Sequence, residues 1–163
     1  MEEAELEEQA RRVLERCRRE GLRLALVEAC AGGVIAASLT AIPGSSAVVE
    51  LGLVPYSNES KQELLGVPRG LLEAHGAVSA EVAGAMVQGV LARSRADVAL
   101  AETGIAGPGG ATPSKPVGLV FLAMARRGGE LAVERHVFPG DRRTVRMMAA
   151  VRGLALLLEK LGS

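Results

Sequence analysis

A chain of 163 residues, 48% of them apolar, is long enough to bury a core of its own, and the expectation is one domain over residues 1–163. Nineteen basic and nineteen acidic residues cancel, so no global field draws the chain onto nucleic acid or an anionic membrane. One tyrosine, two phenylalanines and no tryptophan leave little for single-stranded bases to stack on, so the expected partner is a small molecule.

Cys17 and Cys30 lie in different segments with no CxxC spacing, and His75 and His136 are the only histidines. Neither a disulfide framework nor a zinc site is indicated, and the expectation is no metal and no cofactor in a reducing compartment. The acidic start Met1-Glu2-Glu3 lacks the basic head and apolar stretch of a secretory signal. No apolar run approaches the roughly 20 residues that cross a bilayer. Cytoplasm is the expected location.

In chain order, apolar residues at Leu6, Ala10, Val13, Leu14 and Cys17 predict an amphipathic helix over 2–20, stopped by Gly21. On that apolar face Cys17 reads as a buried structural thiol. Residues 22–27 read as a buried strand, and Gly32-Gly33 precedes a short alanine-rich helix over 34–40, broken at 42–46. A second strand over 47–54 leads through Pro55 and Tyr56 into a helical segment that starts near Asn58, carries Lys61 and ends at Gly66. A short helix follows Pro68, and another begins after Ser79, with Val82, Ala85, Met86, Gly89 and Val90 on one face.

Residues 98–101 are expected as a short buried strand running into a glycine-rich loop, 103–110. Two β-rich runs, 117–125 and 131–138, flank Arg126-Arg127-Gly128-Gly129-Glu130 and predict an antiparallel hairpin. After Pro139-Gly140, Asp141 can cap a closing helix whose inner face is Val145, Met148, Leu154, Leu157 and Leu158. Strand–helix alternation with one late hairpin argues for an α/β fold with helices on both faces of a mixed five-stranded sheet.

Two glycine-rich loops each follow a strand, Glu28-Ala29-Cys30-Ala31-Gly32-Gly33 and the stretch from Thr103 to Gly110. Ligands of open α/β sheets bind at the carboxyl ends of strands, where glycines admit close backbone approach to a phosphate or carbonyl oxygen. Such glycines also serve simply to turn a chain. Lys61, if buried, is a candidate general base near Tyr56, Ser57 and Asn58, whereas a solvated Lys61 with Tyr56 filling the core edge is the plainer alternative. Arg142, Arg143 and Arg146 open the closing helix and can clamp a phosphate or form a solvated face. Neither histidine has metal-ligand spacing.

From about residue 24 to 158 the ordered blocks Pro43-Gly44-Ser45-Ser46, Tyr56-Ser57-Asn58-Glu59-x-Lys61, Leu64-Leu65-Gly66-Val67, His75-Gly76-Ala77-Val78-Ser79, Thr103-Gly104-Ile105-Ala106-Gly107-Pro108-Gly109-Gly110, Lys115-Pro116-Val117-Gly118 and Gly140-Asp141-Arg142 with Val145-Arg146 resemble the CinA C-terminal-domain family. The resemblance implies a three-layer α/β/α fold with a mixed five-stranded sheet and a topology like that of anticodon-binding domains. It also implies a homodimer, and from the length the expectation is a stand-alone domain without the N-terminal domain that often precedes it in the family. The implied activity is metal-free hydrolysis of the carboxamide of nicotinamide mononucleotide (NMN).

That family's first motif reads Glu-Ser-Cys-Thr-Gly-Gly, and here both hydroxyl positions are alanine, Ala29 and Ala31. By the resemblance, Tyr56 and Lys61 are the catalytic residues that would activate the missing serine at position 29. Its substrate-binding positions fall on Cys30, Ala31, Gly32, Gly33, Asn58, Thr103, Gly104, Ala106, Gly107, Arg142 and Arg146. Cys30 also occurs in active members and is expected to point away from the site, as neighbours on an extended segment do. Glu102 departs from the small or apolar residue usual before the threonine, and either faces the pocket or points to solvent. Three functions follow: a pseudoenzyme that keeps the pocket for a pyridine nucleotide such as NMN, an amidohydrolase using water activated by Lys61 or Glu102, and an interaction module with a vestigial pocket. Competence or DNA-damage roles draw no support from the charge balance.

Overall fold

The structure, a computed structural model, describes residues 1–162. Helix α1 (Glu2–Glu20) leads to β1 (Leu24–Glu28), α2 (Val34–Thr40), a single 3-10 turn at Ser45–Ala47 and β2 (Val49–Leu53). Helices α3 (Asn58–Leu65), α4 (Arg69–His75) and α5 (Ala80–Ala92) follow. The chain then forms β3 (Val98–Gly104), the hairpin β4 (Leu119–Arg126) and β5 (Ala132–Val137), and finally α6 (Arg142–Gly162). The strands make one five-stranded sheet in the order β2-β1-β3-β4-β5, with β1 parallel to β2 and β3 and the last two ladders antiparallel. The α/β class and mixed sheet expected from the sequence are both present. Among the described residues no helix is long and apolar enough to cross a membrane.

Alternation along the strands sends side chains to two cores. On one face Leu24 and Leu26 of β1 and Val98 and Leu100 of β3 pack with α1, α2 and α6; on the other Ala25, Val27, Ala99 and Ala101 pack with α5 and with Leu65, Val67 and Leu72. The second face uses alanines on three strands, which lets α5 lie close. Gly89 marks the closest approach: a methyl there would collide with the Leu65 carbonyl oxygen at the end of α3.

Local signals place most helix ends where expected. Gly21 and Gly66 close α1 and α3 in left-handed conformations, and Ser57 forms a capping box with Ser60. The hydroxyl of Ser79 accepts from the Val82 N–H, and the Asp141 carboxylate accepts from the Thr144 N–H. Strand boundaries differ by one to three residues from the sequence reading, and the largest difference is at the end of β3. Strand β3 continues past residue 101 through Glu102, Thr103 and Gly104, because its antiparallel ladder to β4 pairs those three with Leu122, Phe121 and Val120. Thr103 and Gly104 therefore belong to a strand and not to the glycine loop.

Because α5 at Gly89 supports the α3 end, Gly89→Ala tests how rigidly the layer is packed. Overpacking of this kind costs about 1–3 kcal/mol. Thermal unfolding is expected to show a lower Tm, by about 2–4 °C for each kcal/mol in a domain of this size.

Candidate functional site

In the strand order β2-β1-β3 the chain leaves β1 toward β2 on one side, whereas it leaves β3 toward β4 on the other. Divergence of two adjacent parallel strands opens a crevice at their carboxyl ends, the usual ligand position of open α/β sheets. A cavity of about 300 Å³ lies there. Ala29 and Cys30 line it from the end of β1, Tyr56, Asn58 and Lys61 from the start of α3, residues 103–107 from β3 and its loop, and Arg142 from α6. Segments far apart in sequence thus supply one wall each.

The segment leaving β1 is held on both sides. One oxygen of Glu102, Oε1, accepts from the N–H groups of Cys30 at 2.8 Å and Ala31 at 2.7 Å. From the opposite side the Arg146 guanidinium donates to the carbonyl oxygens of the same two residues, at 3.2 Å and 2.9 Å. Glu28, the register neighbour of Glu102, accepts from the N–H groups of Ile35 and Ala36 and so caps α2 without any side chain at the N-cap position. Gly32 and Gly33, both at positive φ, turn the chain between these two anchors.

Glu102 therefore neither faces the cavity nor points to solvent: it is fully buried under the loop. Burial pushes its carboxyl up to about 8, the Ala31 and Cys30 amides pull the other way, and neighbouring Glu28 adds to the rise. Its Oε1 receives both amides, whereas Oε2 is buried with no hydrogen-bond partner. Burial likewise raises Glu28.

Lys61 is buried at 2% exposure and Tyr56 is 68% exposed, the reverse of the plainer sequence reading. The Lys61 ammonium donates to the Tyr56 carbonyl at 3.4 Å, and burial pushes its pKa down, partly opposed by the Glu102 carboxyl when it ionises. Arg142 donates to the Gly107 carbonyl at 2.9 Å and to the Tyr56 hydroxyl at 3.2 Å, linking the glycine loop to the start of α3 across the cavity mouth. The Thr103 hydroxyl donates to the Ala77 carbonyl at 2.9 Å. Cys30 borders the cavity but packs with the α2–α6 core, and burial with the Glu102 charge pushes its thiol up to about 12. It stays a thiol, not a thiolate. Cys17 is fully buried and raised to about 11 by its burial.

Of the sequence candidates, Ala29, Cys30, Tyr56, Asn58, Lys61, Thr103, Gly104, Ala106, Gly107 and Arg142 converge on the cavity. Ala31, Gly32, Gly33 and Arg146 lie behind the wall, where they shape it. Arg143 turns away to pair with Glu3, so the three arginines form neither one clamp nor one solvated face. His75 lies near Glu81, and His136 bonds Glu134 and stacks on Phe138, both outside the cavity. Among the described residues no cluster of three His, Cys, Asp or Glu side chains could hold a metal ion. The cavity also draws on Ile105, Gly109 and Gly110 of the glycine-rich stretch, and on Ala77 and Val78, which sequence reasoning did not assign to the site. Ala77 and Val78 carry no polar side chain to signal a role, and the Thr103 bond brings them there.

The fold and site define a three-layer α/β/α domain with a small polar cavity at the diverging ends of two parallel strands. The chain belongs to the CinA C-terminal domain family, whose sequence model matches residues 6–161. It is 51% identical over 140 residues to a CinA-like protein of Akkermansia muciniphila, and 52% identical over 144 residues to one of Geobacter metallireducens. These matches cover 86% and 88% of the chain but 34% and 35% of the relatives, so the chain spans about a third of the length of the curated relatives it matches. Among solved structures, a competence/damage inducible protein from Agrobacterium tumefaciens superposes with a TM-score of 0.94 at 42% identity, covering 98% of this chain and 96% of that one. A competence damage-inducible protein A from Klebsiella pneumoniae gives 0.93 at 37% identity, covering 96% and 97%.

The buried acid makes a prediction. The folded chain holds the Glu102 proton up to about pH 8, whereas the ordinary value is 4.5. Its contribution to stability is complete at low pH and is lost as pH rises from about 5 through 8, with a slope of at most about 1.4 kcal/mol per pH unit for one proton. Urea unfolding of Glu102→Gln, which keeps an acceptor for both amides, is expected to flatten that slope. Glu102→Ala leaves both amides unpaired and is expected to lose about 1–3 kcal/mol for each.

Proposed function

We propose that this domain binds a pyridine mononucleotide of the NMN type in the cavity between β1 and β3, and that it hydrolyses the carboxamide poorly or not at all. The observation that carries the reading is a methyl group where the chemistry of the family asks for a hydroxyl: Ala29 lines the cavity together with the buried Lys61 and with Tyr56. Amide hydrolysis by covalent catalysis needs an oxygen that attacks the carbonyl carbon and a base that takes its proton. Lys61, with its pKa lowered by burial, suits the second task. Nothing at position 29 performs the first.

The nearest alternative nucleophile is poorly suited. Cys30 packs into the core and its thiol stays protonated, so its sulfur is neither ionised nor free to move into the cavity. Binding functions have fared better than the nucleophile. Arg142, Asn58 and Thr103 remain on the wall, and the Arg142 guanidinium at the mouth suits a phosphate. A homodimer belongs to the same proposal, resting on the family resemblance.

A second reading draws on the lowered pKa of Lys61. A neutral amine deprotonates a water molecule beside Ala29, the water oxygen attacks the amide carbon, and ammonia leaves with the proton. Glu102 cannot serve that role from beneath the loop.

An ammonia-release assay with NMN, paired with calorimetry, tests both readings. Wild-type protein is expected to bind the nucleotide with ammonia release near background. Losing a serine nucleophile costs on the order of a million-fold in kcat in the subtilisin case, so even a partial restoration by Ala29→Ser is expected to raise the rate by about 100-fold or more. Rapid release by the wild type that Lys61→Met abolishes would instead establish the water route. Absence of nucleotide binding would leave the interaction-module reading.

A further inference from the structure

Lys61 is a cation without an anion. Its side chain is 2% exposed, and its one hydrogen bond is a long one, 3.4 Å, to a neutral carbonyl. No salt bridge reaches it among the described residues: the ten ion pairs of the structure lie elsewhere. The buried carboxyl that acts on it, Glu102, sits beneath the loop on the opposite core face, with both neighbouring amides already on its Oε1. Ala29 offers it neither donor nor acceptor. A buried ammonium with so little compensation is costly to the fold unless a ligand completes its shell.

The cavity supplies the place for that ligand, because Lys61 and Ala29 both face it and the mouth is open to solvent through the exposed Tyr56 and Arg142. We infer that this site selects a carboxylate over the corresponding carboxamide, with Lys61 as the specificity-determining residue that pairs with the ligand's carboxylate beside Ala29. The inference rests on the proposed pyridine-nucleotide site and names which form of the ligand it prefers. An amide oxygen accepts from the ammonium but leaves its charge in place, whereas a carboxylate accepts from it and neutralises it. The methyl of Ala29 leaves room for the second carboxylate oxygen where a hydroxyl would otherwise stand. The domain then acts as a receptor for the acid, the form that an amide-hydrolysing reaction delivers, and not as the catalyst that makes it.

Calorimetry on the full chain at pH 7 with nicotinate mononucleotide and nicotinamide mononucleotide, which differ in the acid or amide alone, tests the preference. Wild-type protein is expected to bind the acid about tenfold or more tightly than the amide. Lys61→Met is expected to remove most of that preference, weakening the acid by about tenfold or more and the amide by less, and Lys61→Arg to retain part of it. Should Lys61→Met not fold, a pH series on the wild type carries the test: acid affinity falls as Lys61 loses its proton, and amide affinity does not follow it. Equal or tighter binding of the amide would overturn the inference while leaving the nucleotide-binding proposal intact. An acid preference that survives unchanged in Lys61→Met would also overturn it. Binding of neither nucleotide would bring down the proposal and the inference together.

Discussion

Two consecutive peptide groups, those of Cys30 and Ala31, carry the architecture of the site. Glu102 receives their N–H groups from one side and Arg146 donates to their carbonyls from the other, so all four polar atoms are satisfied inside the protein. Such a segment cannot move without exposing several unpaired buried groups at once. Everything downstream of β1 depends on it: the position of Ala29 at the cavity edge, the double glycine turn and the start of α2 on Glu28.

Side-by-side placement of Glu28 and Glu102 across the β1–β3 ladder is tolerable only because the charge is reduced. Burial raises both carboxyls, the Glu28 charge raises Glu102 further, and Arg146 supplies partial compensation to each. The same device explains why both hydroxyls of the family motif can be missing without loss of the local fold. Side-chain oxygens at positions 29 and 31 are not among the bonds that hold this loop, since the acids and the arginine reach the backbone directly.

The cavity wall is therefore built independently of the side chain at position 29. The wall is built by backbone geometry, by Arg142 tying Gly107 to Tyr56, and by Thr103 tying β3 to Ala77. Covalent catalysis from position 29 would need one further atom there, an oxygen. Lys61 stays buried at the cavity wall with no ion pair among the described residues, and that burial lowers its pKa.

Helical periodicity, capping residues and the hairpin signal determined the elements, because those depend on neighbours within a few residues: Gly21, Ser57, Ser79 and Asp141 all act where local chemistry places them. The ordered motifs also marked most of the cavity wall, from Ala29 to Arg142. Tertiary structure decided the rest. The length of β3 follows from a ladder with β4 that no local pattern encodes, and the burial of Lys61 follows from α3 packing against α5. Glu102 looked from sequence like a pocket or surface carboxylate, and Arg146 like a ligand clamp. Both act on the backbone of residues 30 and 31, because a charged side chain takes its role from whichever unsatisfied polar group the fold brings within reach, across 72 residues for Glu102 and 116 for Arg146.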